Sequence, residues 1–335
     1  MRNAWTRSAV RVLLSLLGFG LFAVVLWLGG AQAWQRLALA DPLWMGLSFA
    51  CTALLMWVSA LRWKLITEAI AGPDARSARA YYHYLMMGKT VGLVLPEALG
   101  VYGVGPLAMK MDGGSSFTMA LGTLFVDKLF DLGLSGILLL PTAAYALRLI
   151  DLNACAALFG LVFVALAVAL SGWYGSLVAL ALGVRDAAAA RLSRLAWANR
   201  VLDGRAAQAL LAIDRERLPA RRSALQAYGI TVIRYLLMTL RFASVAISLQ
   251  VAVPPLLLFV GIPIAQLGLL LAVTPGALGT LEAGWFGVLL LAGLPRQEIM
   301  TFLIGQRAAL FVFVFVLGLI SYTSSLIFPF RREHV

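Results

Sequence analysis

Two cysteines and two histidines in 335 residues, with 15 acidic side chains against 27 basic ones, leave this chain without most of the usual means of catalysis. Cys51 and Cys155 both lie inside apolar runs, where a thiol packs as a small hydrophobe. Neither a disulfide framework nor a Cys-rich metal site is available. His83 and His334 would need carboxylates to complete a metal site, and carboxylates are equally scarce. No Ser/His/Asp set, Cys/His pair or nucleotide-binding loop stands in the sequence. The expectation is a protein that is no enzyme and that needs no cofactor or metal. The net charge of +12 could suggest nucleic acid. The Arg and Lys residues sit in short loops between apolar runs, however, with no soluble basic domain to carry them, so the partner they imply is an anionic membrane face and not a nucleic acid.

What the chain has in abundance is apolar length. It is 62% hydrophobic and 13% charged, and its mean hydropathy of +0.91 describes a protein whose solvent is mostly lipid. The predicted fold is all-α and polytopic. About eight spans are read at residues 12–28, 43–61, 117–146, 152–182, 225–251, 256–273, 285–294 and 299–328. Ser171-Gly172 is a candidate break in the fourth, and the 285–294 run is too short to cross without the irregular segment before it. Residues 1–183 and 225–335 form approximate halves of one domain, joined by the basic loop 184–224. At the N-terminus, Arg2, Arg7 and Arg11 precede the first run, and Ala31-Gln32-Ala33 imitates a signal-peptidase site. That run is longer than a usual signal core and a second span follows at once, which favours an uncleaved first span.

Loop charge sets an expected orientation. Residues 62–89 carry Arg62, Lys64, Arg76, Arg79 and Lys89, and residues 185–222 carry nine arginines. With the N-terminal arginines and Arg331-Arg332 these fall on one side, which the positive-inside rule makes the cytoplasm. Residues 29–42 and the turn at Arg148 and Asp151 fall on the other. Residues 82–111 then start and end on the same side, and their apolar arms at 84–95 and 101–109 suit a re-entrant hairpin; a segment lying flat on the inner surface is the alternative.

Two Pro/Gly breaks lie in opposite halves, at residues 95–100 and 274–279. Irregular backbone at membrane depth survives only where it is buried in protein or lines a cavity, so a matched pair points to an internal repeat with a site near the midplane. The first break offers Pro96, Glu97 and Gly100, and the second Pro275, Gly276 and Gly279, with a helix start near Leu281 that would aim N–H groups at an anion. The ionisable residues at depth complete the candidate site. Asp127 and Asp131 share a face with Lys128 beside them, Arg234 and Arg241 share a face of another helix, and Glu282 and Arg307 form a further pair. The aspartates and arginines either neutralise one another structurally or hold a lipid phosphate.

These residues carry a family resemblance. Leu61-Arg62-Trp63, Leu95-Pro96 followed by Gly100, Gly114-Ser115-Ser116 before a span with Asp127-Lys128, and Thr274-Pro275-Gly276 with Leu278-Gly279 and Glu282 occur in that order. The chain resembles the lysylphosphatidylglycerol synthase transmembrane (flippase-like) family, which includes the membrane domain of multiple peptide resistance factors. The resemblance implies movement of an anionic phospholipid or lipid-linked precursor between the leaflets of a bacterial inner membrane. A membrane-embedded accessory subunit or enzyme that presents or modifies a lipid headgroup is the alternative, with a lipid-synthesising or headgroup-modifying enzyme as its partner. Departures are specific. Val101, Tyr102, Gly103 and Val104 stand where relatives place an acidic residue and Arg, Lys128 stands where Arg is usual, and Leu281 stands where Arg is common. In relatives of the resistance-factor type a soluble aminoacyl-transfer domain follows the membrane domain. Here the chain ends at Val335, so it is not expected to make lysyl-lipid by itself.

Overall fold

A computed structural model describes residues 35–74, 76–95, 99–113, 116–193, 219–270 and 279–327. The expected first span, Pro96 and Glu97, Gly114-Ser115, most of the arginine-rich loop, Pro275 and Gly276, and Arg331-Arg332 lie outside the described residues. Among the described residues the protein is all-α: α1 (Pro42–Ala71), α2 (Ala78–Gly92), a π-helical turn (Gly100–Val104) running into α3 (Gly105–Met111), α4 (Phe117–Ala146), α5 (Leu152–Gly172), α6 (Tyr174–Leu192), α7 (Arg221–Ser248), α8 (Pro255–Leu270), α9 (Thr280–Leu291) and α10 (Arg296–Ile327). Four of these, α1, α5, α7 and α10, are long and apolar enough to cross a membrane. The protein is therefore a multi-pass membrane protein. α4 has the same 30-residue length as α1 but carries Asp127, Lys128 and Asp131 in its middle.

Local chemistry sets the helix starts. Asp41 accepts the Leu43 N–H at 2.8 Å with Pro42 in the first turn, Ser116 accepts from Met119 N at 3.2 Å, and Asp151 accepts from Ala154 N at 2.6 Å. Each side chain satisfies a donor that the first helical turn leaves without an internal partner.

α1 and α7 run antiparallel and pack along their length. Asp41 N donates to the Ser248 carbonyl at 3.0 Å and Ser248 Oγ to the Asp41 carbonyl at 2.8 Å at one end, which we term the second end. Deeper in, Ser48 Oγ donates to the Arg241 carbonyl at 3.3 Å and Arg234 Nε to Ser59 Oγ at 2.7 Å. Small residues at this seam, among them Ser48, Thr52, Ala227 and Ser244, are buried and allow close approach, the usual way helices associate where no hydrophobic driving force separates them from lipid. The other end of the bundle, the first end, holds residues 72–74, Arg76, Ser77 and the last turns of α10, where Arg79 Nη2 donates to the Ser324 carbonyl at 2.5 Å and His83 Nδ1 lies 3.0 Å from Ser321 Oγ.

Two helical hairpins enter this frame from opposite ends. In the first, α2 leaves the first end and the π turn with α3 returns to it: Arg76 Nη1 reaches the Met109 carbonyl at 3.3 Å and the Tyr84 hydroxyl donates to Asp112. In the second, α8 starts beside residues 249–254 at the second end. α9 returns there, because α10 begins after a turn of four residues, 292–295, and finishes at the first end. The arms of 15, 16 and 12 residues for α2, α8 and α9 are each shorter than the roughly 20 that a perpendicular crossing takes. Each hairpin has its own core, Trp63, Tyr81, Met86, Val101, Met109 and Leu124 around the first and Phe242, Trp285, Leu289, Phe302 and Leu303 around the second.

Several spans differ from expectation. α1 runs on to Ala71 with Arg62 buried in its interior, so Arg62 is not a loop charge. The 152–182 run is two helices parted at Trp173, whose φ of −120° and ψ of 27° leave the helical region, which places a real break beside the Ser171-Gly172 candidate. The 256–273 run is one arm of a hairpin. Its partner α9 begins at Thr280, five residues before the 285–294 run, because Glu282 caps it there.

Candidate functional site

The first polar site centres on Arg62, whose side chain is 0% exposed. Its guanidinium is fully engaged. Nε donates to Asp127 Oδ1 at 2.6 Å, Nη1 to Asp131 Oδ1 at 2.8 Å and to Thr231 Oγ1 at 2.7 Å, and Nη2 to Asp131 Oδ2 at 3.0 Å and to the Asp127 carbonyl at 3.0 Å. The two contacts to Asp131 form the planar fork that arginine makes with carboxylates. Arg234 donates to Asp131 Oδ1 from Nη1 and to Ser59 Oγ from Nε. Lys128 Nζ stands farther off, 3.6 Å from Asp127 Oδ2 and 3.8 Å from Asp131 Oδ2. Three cations thus face two carboxylates. Helix geometry explains the convergence: Asp127 and Asp131 are one turn apart on α4, Arg62 is about 14 Å up α1 from Ala71, and Arg234 is opposite on α7.

The second polar site lies seven residues further along α7, about 10 Å at the helical rise. Glu282 bridges two elements. Its Oε2 accepts the Gly279 N–H at 2.7 Å at the start of α9, and its Oε1 accepts from Arg307 Nε of α10 at 2.5 Å and from Arg307 Nη2. Gly279 sits at φ +86°, a conformation other residues adopt at a cost. Arg241 lies close enough to Arg307 for the two guanidiniums to repel, and packs with its Cζ 4.3 Å from the Phe242 ring centroid. Arg241 is only 7% exposed, yet among the described residues its guanidinium makes no hydrogen bond or ion pair, and its Nε is buried without an acceptor. Trp285 Nε1 and both polar atoms of the Gln306 amide are also buried without partners among the described residues. The rings of Phe242, Trp285 and Phe302 pack together at centroid distances of 4.9 to 6.2 Å, which gathers these orphan groups around one locus. Among the described residues this locus holds two cations, Arg241 and Arg307, and one carboxylate, Glu282, so like the first site it carries one positive charge more than it balances.

The sequence profile of the lysylphosphatidylglycerol synthase TM region matches residues 9–318. The chain belongs to this family. No curated protein sequence matches it. Membership gives the protein a role connected with membrane lipids.

As a member of the lysylphosphatidylglycerol synthase TM-region family, the chain keeps its ionisable residues at the two hairpins, but the grouping differs from that expected. Arg234 meets Asp131, and Glu282 meets Arg307. Arg234 and Arg241 do not form one clamp opposite the aspartates. They part into separate sites, because two turns of helix carry Arg241 beyond the reach of α4 and toward α10. The α9 N-terminus is also less open to an anion than expected, since the protein's own Glu282 takes the Gly279 N–H. Gly100 packs against Gly88 and Gly92 in the first hairpin. Pro96, Pro275 and Gly276 lie outside the described residues. Sequence reasoning missed Arg62 as a member, along with Ser59, Thr231, Trp285 and Gln306. The signal was present: an Arg-Trp pair with apolar residues on one side and helix-forming ones on the other reads equally well as a span end or as a buried ion.

Proposed function

We propose that the protein moves the anionic headgroup of a membrane lipid between these two sites, and so between the leaflets. The observation that carries this reading is Arg241. A guanidinium that is almost wholly buried and has no acceptor among the described residues is costly at membrane depth, and a phosphodiester would supply the missing acceptors in bidentate form. Supporting it are the surplus cation at each site, the common helix α7 that joins them about 10 Å apart, and the opposed hairpins whose entry from the two ends matches the inverted repeats of transporters. In this reading the chain is a transporter and not an enzyme. Its partner is an anionic phospholipid or lipid-linked precursor, and its setting is the bacterial cytoplasmic membrane with the arginine-rich first end inward.

Reconstitution of the purified chain into vesicles holding fluorescent phosphatidylglycerol, with dithionite added outside, tests the reading directly. The wild type should expose inner-leaflet label to the quencher, and should move fluorescent phosphatidylcholine, which has no net charge, more slowly. Arg241→Leu should slow phosphatidylglycerol at least about tenfold, the effect of losing one charge-assisted hydrogen bond of about 1.5 kcal/mol or more. No exposure by the wild type, or an unchanged rate in Arg241→Leu, would sink it.

A further inference from the structure

We propose that Lys128 carries an exchangeable proton, so that one proton travels with each anion the first site accepts; this rests on the translocation reading above. Among the described residues, the ion-pair cluster of Arg62, Lys128 and Arg234 with Asp127 and Asp131 holds one positive charge more than it balances. Charge in such a place is expensive, and the protein has two ways to cancel it: loss of a proton, or arrival of an anion.

The arginines cannot lose the proton. Guanidinium stays charged in proteins, and both are tied down, Arg62 through all three nitrogens and Arg234 through Nε and Nη1. Lys128 is held differently. Its Nζ lies 3.6 and 3.8 Å from the carboxylates, near enough for attraction and too far for a hydrogen bond. An ammonium is a compact and strongly hydrated charge that gives up its proton readily when removed from water. The charged groups that face it are Asp127 and Asp131 on its own helix, Arg234 from α7 and Lys89 from α2, and Arg62 of α1 and Arg234 draw the same two carboxylates that would otherwise hold the ammonium. Lys128 is also the open member of the set, with its side chain 19% exposed against 0% for Arg62 and 11% for Arg234.

The charge count then defines two neutral states. With Lys128 deprotonated, two cations meet two carboxylates. With Lys128 protonated and a phosphodiester monoanion alongside, three cations meet three anions. Each cycle between them moves one proton with one monoanion and no net charge. Transport should respond to a pH gradient and ignore the membrane potential, which acts only on charge that crosses.

Thermal unfolding of the purified full chain in detergent, with no ligand, reads the proton first. If native Lys128 has released its proton while the unfolded chain keeps its own, the native state binds fewer protons and stability rises with pH. The wild-type midpoint should therefore climb relative to Lys128→Arg and to Lys128→Met between about pH 6 and pH 10. The methionine variant removes the surplus charge and keeps the test open if the arginine variant folds poorly. A constant offset between wild type and variants over that range overturns the proposal. Dihexanoylphosphatidylglycerol added to lightly buffered protein near pH 8 reads the coupling. Wild type should take up one proton for each molecule bound, and Lys128→Met none. Binding without proton uptake, or equal uptake by both proteins, also overturns it. Absence of binding together with the pH-dependent climb would support proton exchange at Lys128 and count instead against phosphatidylglycerol as cargo.

Discussion

Arg62 is the residue on which the first site depends, and its removal should cost more than that of any exposed charge. Deleting one partner of a buried ion pair leaves the others uncompensated and costs about 3–5 kcal/mol. Arg62→Met should therefore lower stability in detergent by that order, measured by thermal or denaturant unfolding. Adding Asp127→Asn should recover part of the loss, because the double variant no longer buries the carboxylate that Arg62 Nε served. Lys64→Ala is the control. Its pair with Glu68 is 3.5 Å long, one turn apart and partly exposed, and is worth no more than about 0.5 kcal/mol. Equal losses for Arg62→Met and Lys64→Ala would refute the central role of Arg62. Arg62 is also where the sequence was hardest to read. Composition and hydropathy identify a membrane bundle, since they follow from the solvent alone, and an Asp-x-x-x-Asp face on α4 announces a buried charge. Which cation answers it depends on how three helices cross, and nothing local in sequence separates an arginine at a span end from one a helical turn or two deeper.

The turn between α1 and α2 is a second element with its own pH signature. Burial alone would push the Asp74 carboxyl up. Hydrogen bonds from Arg76 Nε at 2.9 Å, from the Tyr81 hydroxyl and from Arg76 N at 3.1 Å, with the Arg76 charge, outweigh this and hold it below the usual carboxylate range. A group depressed in the folded state stabilises above its unfolded value, about 3.9 for Asp, and that contribution is lost as pH falls through the lower folded value. The stability difference between wild type and Asp74→Asn should accordingly be present near neutral pH and shrink on acidification below about pH 4. A difference independent of pH would remove Asp74 as an ionised anchor of this turn.

At the level of elements, the two hairpins close through glycine at the point where their arms cross. A Cβ on Gly100 would stand 2.5 Å from Gly92 N and 2.7 Å from Gly92 Cα, and would strike the Gly88 carbonyl oxygen as well, all of it backbone that cannot turn aside. In the second hairpin a Cβ on Gly284 would meet the Ile264 carbonyl oxygen at 3.1 Å and Ala265 Cα at 3.2 Å. Gly103 and Gly287 occupy the same elements with nothing within 4 Å of the added atom. Gly100→Ala should therefore destabilise the first hairpin by the 1–3 kcal/mol typical of overpacking, about the same as or more than Gly284→Ala in the second, while Gly103→Ala and Gly287→Ala stay within about 1 kcal/mol of wild type. Limited proteolysis or unfolding in detergent measures the order, and a Gly103→Ala as damaging as Gly100→Ala would contradict it. The hairpins themselves were legible as Pro/Gly interruptions in apolar runs. Their opposed entry is only half legible: charge counting returns residues 82–111 to their starting side, whereas the 256–294 segment carries too few charges to count and its runs at 256–273 and 285–294 read as two separate spans.

For the whole molecule, the packing sorts the loops by end without reference to charge. Tyr174 donates through its hydroxyl to the Pro219 carbonyl, which puts the start of α6 and the start of α7 together, and α7 runs antiparallel to α1, so both join Gly72 and Asp74 at the first end. Arg36 Nη1 lies 3.5 Å from the Gln250 carbonyl, and Leu152 and Ile150 pack with the Leu249 and Val251 cluster, so the 147–151 turn belongs to the second end. Among the described residues Arg76, Arg79, Arg221 and Arg222 thus gather at one end, and the positive-inside rule predicts that this end faces the cytoplasm. Cysteines placed singly at Ser193 and at Leu149 decide the orientation, since native Cys51 and Cys155 are buried and give little background to an impermeant maleimide. Leu149→Cys, 73% exposed in the native side chain, should label in intact cells, whereas Ser193→Cys should label only after the membrane is opened. Labelling in the reverse order would turn the bundle over. The proton that Lys128 is proposed to carry would then enter the cycle from the opposite face, while the two sites along α7 and the opposed hairpins would stand unchanged.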